Sequence, residues 1–325
     1  MMDDRQALPD DLIPLLDRLC RRSGLGALRG CLPLPGAAVN LAFRAETAHG
    51  GRVAIRVNLR DPDDPKWERE AAVYDLLHRV APDLPVPAVL LTDASLRWVP
   101  WPVQVTTWIE GMPGDAAMVD RYLLPDAELG RLIWRLHAVP VPYFGWPRPP
   151  RGDDADRSWP AYVRALAQEG MAAAERSGLL TPWELAGIQR WLEGREAALA
   201  ADGGGRPALV HSDLHWGNVL LAARGGALSI VGLVDFEWAV GAAPAFEWAW
   251  ATRPVRHSPA VRSAYRACGG QAPDARRQSV YRVLQSLTMI GAASRRWPPG
   301  HPAREGHLRI LRTVAMGARC GSDGG

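Results

Sequence analysis

The chain has 325 residues, of which 47% are hydrophobic, and a formal net charge of +3. This length allows two domains or one divided domain with a sizeable core, and the hydrophobic content excludes a disordered chain. No long block of like charges occurs in the sequence, so a nucleic-acid partner is not expected and a compact solute is favoured.

The amino-terminal residues and the cysteines exclude further classes. The first residues, MMDDRQALPDDLIPLL, are acidic where a secretory signal is basic, and no apolar run approaches the roughly 20 residues that span a bilayer. We therefore expect a cytoplasmic protein without a membrane partner. The four cysteines are far apart and form no CxxC pair, which excludes a zinc ribbon or a dithiol redox motif.

The first third of the sequence has the pattern of a small sheet with one helix packed on it. Residues 10–23 predict an initial helix, because leucines recur at helical spacing between amino-terminal aspartates and carboxyl-terminal arginines. NLAFRAET and RVAIRVNL alternate apolar and polar residues around a glycine turn and predict two paired strands. The remaining predicted elements of this region are a helix, DPKWEREAAVYDLLHRV, and two short strands, AVLL and VQVTTWI.

From about residue 126 the pattern is mostly helical, beginning with DAELGRLIWRLHAV, and only NVLL and IVGLVDF have the composition of strands. Two connections rich in proline, glycine or aspartate, at 144–160 and 201–207, enclose a helical insert. A helical tail follows residue 255, and no internal repeat is present.

Polar groups are concentrated in LVHSDLHWGNVLL, residues 209–221. His211 and His215 have the spacing of zinc ligands on a helix, but no glutamate follows the first histidine and Gly217 disfavours a helix there. Ser212 lacks the glycine neighbours of a nucleophile elbow. Neither zinc-dependent hydrolysis nor acyl transfer is therefore favoured.

Phosphoryl transfer fits the spacing better. This chemistry needs a carboxylate that orients the acceptor hydroxyl, and also an amide and a second carboxylate that hold the magnesium ion bridging the nucleotide phosphates. Asp213, Asn218 and the later Asp235 satisfy these three requirements.

The same segments resemble the aminoglycoside phosphotransferase family, relatives of protein kinases and choline kinases. The hallmark of that family is H-x-D-x-H-x-x-N followed by a strand ending in I-D-[WF]-E, and this chain has HSDLHWGN and then LVDFE. The resemblance covers roughly residues 30–255. Other segments follow the family's order: GAAVNLAFRAE as the nucleotide loop, VAIRV as the third strand, REAAVYDLL as the first-lobe helix, TTWIEG as the hinge and LGRLIWRLHAV as the helix before the insert.

The resemblance implies an α+β, bilobal, protein-kinase-like fold. It places a nucleotide-binding lobe, made of an antiparallel sheet and one helix, at residues 1–106 and a hinge at 107–111. A mainly helical catalytic and acceptor-binding lobe then covers 112–325, with the insert at about 151–204 and the tail at about 256–320. A monomer or a homodimer is expected.

The resemblance also assigns roles to the catalytic residues. Asp213 is the expected base, and His215 is expected to contact the migrating phosphoryl group. Asn218 and Asp235 are the expected ligands of Mg2+. The phosphoryl donor is ATP or GTP.

Two further sets of residues are assigned to the substrates. Trp216 and Glu237 are acceptor-site candidates. The Trp216 ring either stacks on the acceptor or packs in the core, and the Glu237 carboxylate either meets an acceptor amine or caps the strand end. Nucleotide binding is assigned to Asn40, to Arg56 with its partner Glu70, and to the backbone of Thr107, Trp108 and Ile109.

Three positions, Arg56, Gly36 and Glu247, depart from the family pattern. Arg56 stands where relatives carry a phosphate-binding lysine, which keeps the charge but makes the group planar and forked. Lys66, the only lysine, lies one helical turn before Glu70 and is expected to be exposed. Gly36 is the only glycine of the nucleotide loop, and Glu247 occurs where relatives carry an aspartate.

The acceptor stays open at this stage. An antibiotic of the aminoglycoside-like, macrolide, peptide or nucleoside type is the first expectation, and a metabolite such as a sugar, choline or an amino acid is the alternative. From residue 251 onward, 13 arginines accompany only three acidic residues, which favours a neutral or weakly charged acceptor over a polycation. An inactive kinase-fold binding protein is the alternative outside the enzymes, because of Arg56 and the poor glycine loop.

Overall fold

The computed structural model describes residues 11–34, 40–59, 63–119, 123–145, 158–195, 205–250, 253–273 and 275–320. Gly36 of the predicted nucleotide loop lies outside these ranges. The strands are β1 (Leu28–Pro33), β2 (Leu41–Thr47), β3 (Arg52–Val57), β4 (Val89–Asp93), β5 (Val103–Thr107), β6 (Met112–Pro113), β7 (Ala208–Val210), β8 (Val219–Arg224), β9 (Ala227–Leu233) and β10 (Val240–Ala242). The helices are α1 (Leu12–Arg22), α2 (Lys66–Val80), α3 (Gly114–Val119), α4 (Asp126–His137), α5 (Trp159–Ser177), α6 (Pro182–Glu193), α7 (Glu247–Trp250), α8 (Arg253–Arg256), α9 (Pro259–Ala267), α10 (Ala275–Arg296) and α11 (Pro302–Cys320).

Two compact units make up the chain. The first combines Met1–Leu124 with Trp216–Trp238, and the second combines Pro125–His215 with Ala239–Gly325. The strands β8 and β9 therefore belong to the same unit as the amino-terminal sheet, although they follow the polar cluster in sequence. The lobe boundaries predicted around residues 107–111 describe a different division of the chain and stay a prediction.

The first unit is built on an antiparallel sheet with the strand order β1-β2-β3-β5-β4. Alternation along the strands sets its two faces. Phe43 of β2 is paired with Ile55 of β3, and both side chains are fully buried. Leu12 and Leu16 of α1 are buried in the same core. A second antiparallel sheet, with the order β6-β8-β9, completes the unit.

The second unit is organised around Trp159, the first residue of α5. Its indole N–H donates a hydrogen bond to the Tyr281 hydroxyl of α10 at 3.1 Å, and its fully buried ring contacts those of Phe144, Tyr162 and Phe246. The short antiparallel pair β7 and β10 also lies in this unit. Strand β7 ends at Val210, directly before His211, the first polar residue of the segment 209–221.

The predicted α+β class is confirmed, because an antiparallel amino-terminal sheet precedes a mainly helical carboxyl-terminal region. The predicted elements that correspond to α1, β2, β3, α2, β4, β5, α4, β8 and β9 are all present. The strands β7 and β10 were not predicted, because each has three residues and all of them are buried, so no alternation distinguishes them. Within the described ranges, no helix is long and apolar enough to cross a membrane.

Two helical glycines provide a matched test of the packing in the second unit. A Cβ atom at Gly130 of α4 would lie 2.2 Å from the carbonyl oxygen of Val261 in α9, whereas one at Gly306 of α11 would meet no atom within 4 Å. We expect Gly130→Ala to lower the free energy of unfolding by about 1–3 kcal/mol through overpacking. Gly306→Ala is expected to raise it by about 0.5–1 kcal/mol, because alanine favours a helix. Urea unfolding measures both values, and equal effects would contradict the packing.

Candidate active site

Arg56 is the centre of a hydrogen-bond network in the first unit. It lies on β3 opposite Gln104 of β5. Its guanidinium donates to the Glu70 carboxylate, to the Gln104 side-chain oxygen at 2.6 Å and to Asp235 Oδ1 at 3.0 Å. The predicted pair of Arg56 and Glu70 is therefore present. A planar, forked guanidinium suits this arrangement, because its N–H groups point in several fixed directions.

Glu70 extends this network from α2 to the segment that follows β9. Its side chain is fully buried and also accepts hydrogen bonds from the Tyr74 hydroxyl at 3.1 Å and the backbone N–H of Phe236 at 2.8 Å. The Tyr74 hydroxyl in turn accepts from the backbone N–H of Asp235 at 3.2 Å. Burial raises the pKa of Tyr74 above its usual range, so the hydroxyl keeps its proton and continues to donate to Glu70.

Asn218 and Asp235, the predicted ligands of Mg2+, flank the same end of the β8–β9 pair. Val219 and Leu233 are paired there, and the backbone N–H of Val234 donates to the Asn218 carbonyl at 3.0 Å. Asp235 has a φ of 68°, a left-handed conformation that aspartate tolerates better than most residues. The structure therefore brings the two predicted ligands to one place and fixes the backbone of the second.

Lys66 corrects a prediction, because it is not exposed. It is the first residue of α2 and has only 4% of its surface accessible. Its ammonium donates to the Asn40 side-chain oxygen at 2.6 Å and lies 3.6 Å from Glu237 Oε2. The Trp67 ring centroid is 4.8 Å away. A lysine at the start of a helix is usually solvated, so its position in the sequence gave no sign of this burial.

The predicted hinge has part of its backbone already in use. The N–H of Thr107 donates to the carbonyl of Ala88 at 2.9 Å, and the N–H of Trp108 donates to the carbonyl of Arg52 at 3.0 Å. The edge of a purine would therefore have to be met by carbonyl groups of this segment or by the backbone of Ile109. Nucleotide binding by these residues stays a prediction.

A buried carboxylate fixes the polar cluster in the second unit. Glu247 is fully buried and accepts hydrogen bonds from the backbone N–H groups of His211 at 2.7 Å and Ser212 at 3.3 Å. Ser212 has a φ of 62°, a left-handed conformation that costs roughly 1–2 kcal/mol for a residue with a Cβ. Glu247 thus holds a strained backbone immediately before Asp213.

The remaining polar groups of the cluster have distinct environments. His211 is fully buried, and its Nδ1 accepts a hydrogen bond from the backbone N–H of Asp213 at 3.3 Å, so it supports the loop from inside. The side chains of Asp213 and His215 are 42% and 35% exposed, with Oδ2 and Nε2 4.0 Å apart. The buried hydroxyl of Ser212 has no hydrogen-bond partner in the part of the chain that the structure describes, so no base activates it.

The two acceptor-site candidates differ in outcome. Trp216 is only 2% exposed, and a Cβ atom at Gly114 would lie 2.7 Å from its ring. Its ring is therefore packed in the core of the first unit, which is the alternative to stacking that the sequence left open. Glu237 is 7% exposed and lies beside Lys66. Its contact with an acceptor stays a prediction.

Sequence reasoning missed two members of the Arg56 network. Gln104 is a polar residue in the otherwise apolar half of VQVTT, a signal that a buried strand contains a functional group. Tyr74 lies four positions after Glu70, so both side chains lie on the same face of α2. Both signals are present in the sequence, but neither glutamine nor tyrosine as a residue type indicates membership of a hydrogen-bond network.

Solved structures identify the class of fold as that of small-molecule kinases. The chain is similar to a candidate fructosamine-3-kinase from Thermobifida fusca, with 21% identity, a TM-score of 0.63 and coverage of 92% of this chain and 97% of that chain. It is also similar to a macrolide 2'-phosphotransferase from Brachybacterium faecium, with 22% identity, a TM-score of 0.53 and coverage of 95% and 98%. A thermostable mutant of an aminoglycoside phosphotransferase, in a ternary complex with AMP-PNP and hygromycin B, gives 17% identity, a TM-score of 0.60 and coverage of 95% and 98%. At these identities the likeness establishes the fold.

The family is established by sequence. A model of the Phosphotransferase enzyme family matches residues 30–278, well over half of the chain. The chain belongs to this family and is a kinase-type phosphotransferase for small molecules. This confirms the resemblance inferred from the polar cluster. A search of the curated proteins finds no match.

Glu247 offers a test of how the polar cluster is held. Glu247→Ala removes the acceptor of two buried N–H groups, and a hydrogen bond to a charged group contributes about 1.5–3 kcal/mol. We expect the free energy of unfolding to fall by about 3 kcal/mol or more in urea titrations. Glu175→Ala, at an exposed position of α5, is the control and should change it by less than about 0.5 kcal/mol. Similar values for the two variants would show that this carboxylate does not hold the loop.

Proposed function

We propose that this protein transfers the γ-phosphoryl group of ATP or GTP to a hydroxyl group of a small molecule. The main support is the placement of Asn218 and Asp235 at one end of the β8–β9 pair, tied through Arg56 and Glu70 to the sheet and to α2. An amide oxygen and a carboxylate are ligand types that suit Mg2+, which takes few ligands from a protein when phosphates are present. When bound by these residues, Mg2+ neutralises charge on the phosphates.

Asp213 supplies the base in this proposal. The acceptor hydroxyl gives its proton to the Asp213 carboxylate while its oxygen forms a bond to the γ-phosphorus. The bond between that phosphorus and the oxygen bridging to the β-phosphate breaks, and the products are a nucleoside diphosphate and a phosphorylated acceptor. Support comes from the partial exposure of Asp213 and from the strained, hydrogen-bonded backbone that leads to it. His215, beside Asp213, is assigned to the migrating phosphoryl group.

The acceptor in this proposal is an antibiotic with a neutral or weakly charged structure near the reacting hydroxyl. Two of the similar structures are a macrolide phosphotransferase and an aminoglycoside phosphotransferase with bound hygromycin B. The excess of arginine after residue 251 disfavours a polycationic acceptor, because like charges repel. Macrolides, peptides and nucleosides are therefore ranked before polycationic aminoglycosides.

A metabolite such as a sugar is the second candidate acceptor. It is supported by the similarity to the candidate fructosamine-3-kinase, at a TM-score of 0.63. The test is magnesium-dependent nucleotide turnover over a panel that contains both classes, with the gain of one phosphoryl group confirmed by mass spectrometry. Turnover confined to the metabolites would replace the antibiotic as acceptor.

Asp213 is the residue that tests the mechanism. Asp213→Asn should lower kcat by about 100- to 10,000-fold, because a neutral amide does not accept the acceptor proton. Nucleotide affinity, measured by calorimetry, should stay within a few-fold of the original. Asp75→Asn, at an exposed position of α2, is the matched control and should leave kcat unchanged.

Two results would contradict the proposal. If Asp213→Asn turned over as fast as the unaltered protein, Asp213 would not be the base. If the unaltered protein bound no nucleotide by calorimetry, the inactive binding protein would become the better interpretation.

A further inference from the structure

The buried ammonium of Lys66 has more donors than its protein surroundings use. It carries three N–H groups. Within the described residues it makes one hydrogen bond, to Asn40, while the Glu237 oxygen at 3.6 Å is within ion-pair range but beyond a hydrogen bond. Burying a cation is costly unless its charge and its donors are matched. This group is therefore left with capacity to bind an anion.

Arg56, by contrast, already donates to three protein acceptors. Its guanidinium contacts Glu70, Gln104 and Asp235, and the first two of these acceptors are fully buried. Its central carbon also lies 4.4 Å from the Trp67 ring centroid. Turning this group toward a phosphate would leave buried acceptors without a donor, which costs about 1–3 kcal/mol for each.

We propose that Lys66 binds the phosphates of the nucleotide, while Arg56 holds the framework of the site. The two tasks of the strand lysine in the family, to pair with the helix glutamate and to contact phosphate, are then divided between two residues. This inference rests on the proposed function. Its position supports it, because Asn40 lies within the predicted nucleotide loop, GAAVNLAFRAE, and Glu237 lies two residues after Asp235.

The surroundings of Lys66 leave its ammonium form less stable than that of a lysine in water. Burial lowers the pKa of Lys66, and Arg56 acts in the same direction. Glu237, Asp64 and Asp235 act in the opposite direction but do not restore the usual value. A phosphate beside the ammonium would favour the charged form, as an opposite charge does for any cation.

Calorimetry with three ligands of different charge tests this role. Adenosine, ADP and a non-hydrolysable ATP analogue with magnesium are titrated into the unaltered protein and into Lys66→Met. We expect the affinity for ADP and for the analogue to fall by roughly 10- to 100-fold, as for the loss of a charged hydrogen bond. The affinity for adenosine should not change. Lys66→Arg should restore part of the loss.

Two further variants keep this test interpretable. Arg79→Met, at an exposed position of the same helix, is the matched control and should bind all three ligands normally. The double variant Lys66→Met with Glu237→Gln removes both charges of the pair, so that no carboxylate is left buried beside an apolar side chain. It serves if Lys66→Met alone does not fold, and the same loss for ADP and the analogue is expected.

A spectroscopic measurement is possible because Lys66 is the only lysine of the chain. Protein labelled with 13C at the lysine ε-carbon gives one lysine signal in a 13C NMR spectrum. This signal should shift on addition of ADP but not of adenosine.

The results separate the phosphate contact of Lys66 from the proposed function and from the catalytic step. Unchanged affinity for ADP and the analogue in the Lys66 variants would overturn the phosphate contact. Equal loss for adenosine, ADP and the analogue would overturn it too, because a structural role would then suffice. If the unaltered protein binds none of the three, the proposed function itself fails. If it binds all three and Lys66→Met shows the selective loss, but the Asp213 variant keeps its kcat, the catalytic step fails while the role of Lys66 stands.

Discussion

The guanidinium of Arg56 joins three parts of the first unit that are distant in sequence. Through Glu70 it holds α2, through Gln104 it holds the neighbouring strand β5, and through Asp235 it holds the segment after β9. These are the elements to which the proposed function assigns the binding of nucleotide and Mg2+. A lysine ammonium has three donors without a fixed plane, whereas the guanidinium is forked and rigid. Arginine at this position is therefore suited to holding three elements in fixed positions at once.

Each of the two units contains the same device, a fully buried glutamate beside a strained residue. In the first unit Glu70 accepts from the backbone N–H of Phe236, directly after Asp235 with its φ of 68°. In the second unit Glu247 accepts from the backbone N–H of Ser212, which itself has a φ of 62°. Left-handed backbone at non-glycine residues persists only where surrounding groups hold it, and such residues tend to occur at functional sites. In both cases the strain lies at or next to a carboxylate to which the proposed chemistry assigns a role.

Much of this architecture could be predicted from the sequence. Alternation and helical spacing indicated the paired strands β2 and β3 and the helices α1, α2 and α4, because these elements have one buried and one exposed face. The order and spacing of Asp213, Asn218 and Asp235 along the chain indicated the candidate site, because order and spacing can be read directly from a sequence. The short buried strands β7 and β10 escaped prediction, because a residue run that is buried on all sides has no period. The burial of Lys66 also escaped prediction, since it depends on a tertiary neighbour, Asn40, that no local pattern reveals.

The carboxylate of Glu247 bears on how members of this family are recognised. The family resemblance predicts an aspartate near this position, and a search by residue type would score Glu247 as a mismatch there. In this structure the Glu247 carboxylate accepts from two backbone N–H groups, with N···O distances of 2.7 and 3.3 Å, so a side chain one methylene longer than aspartate holds this loop. Arg56 is a second case, because its residue type differs from the lysine of relatives while the positive charge is kept. Sequence signatures for such enzymes should therefore specify the charge and the side-chain length allowed at each position and not one fixed residue type. Chains that were judged inactive only because their residue types differ from the signature then merit a biochemical assay.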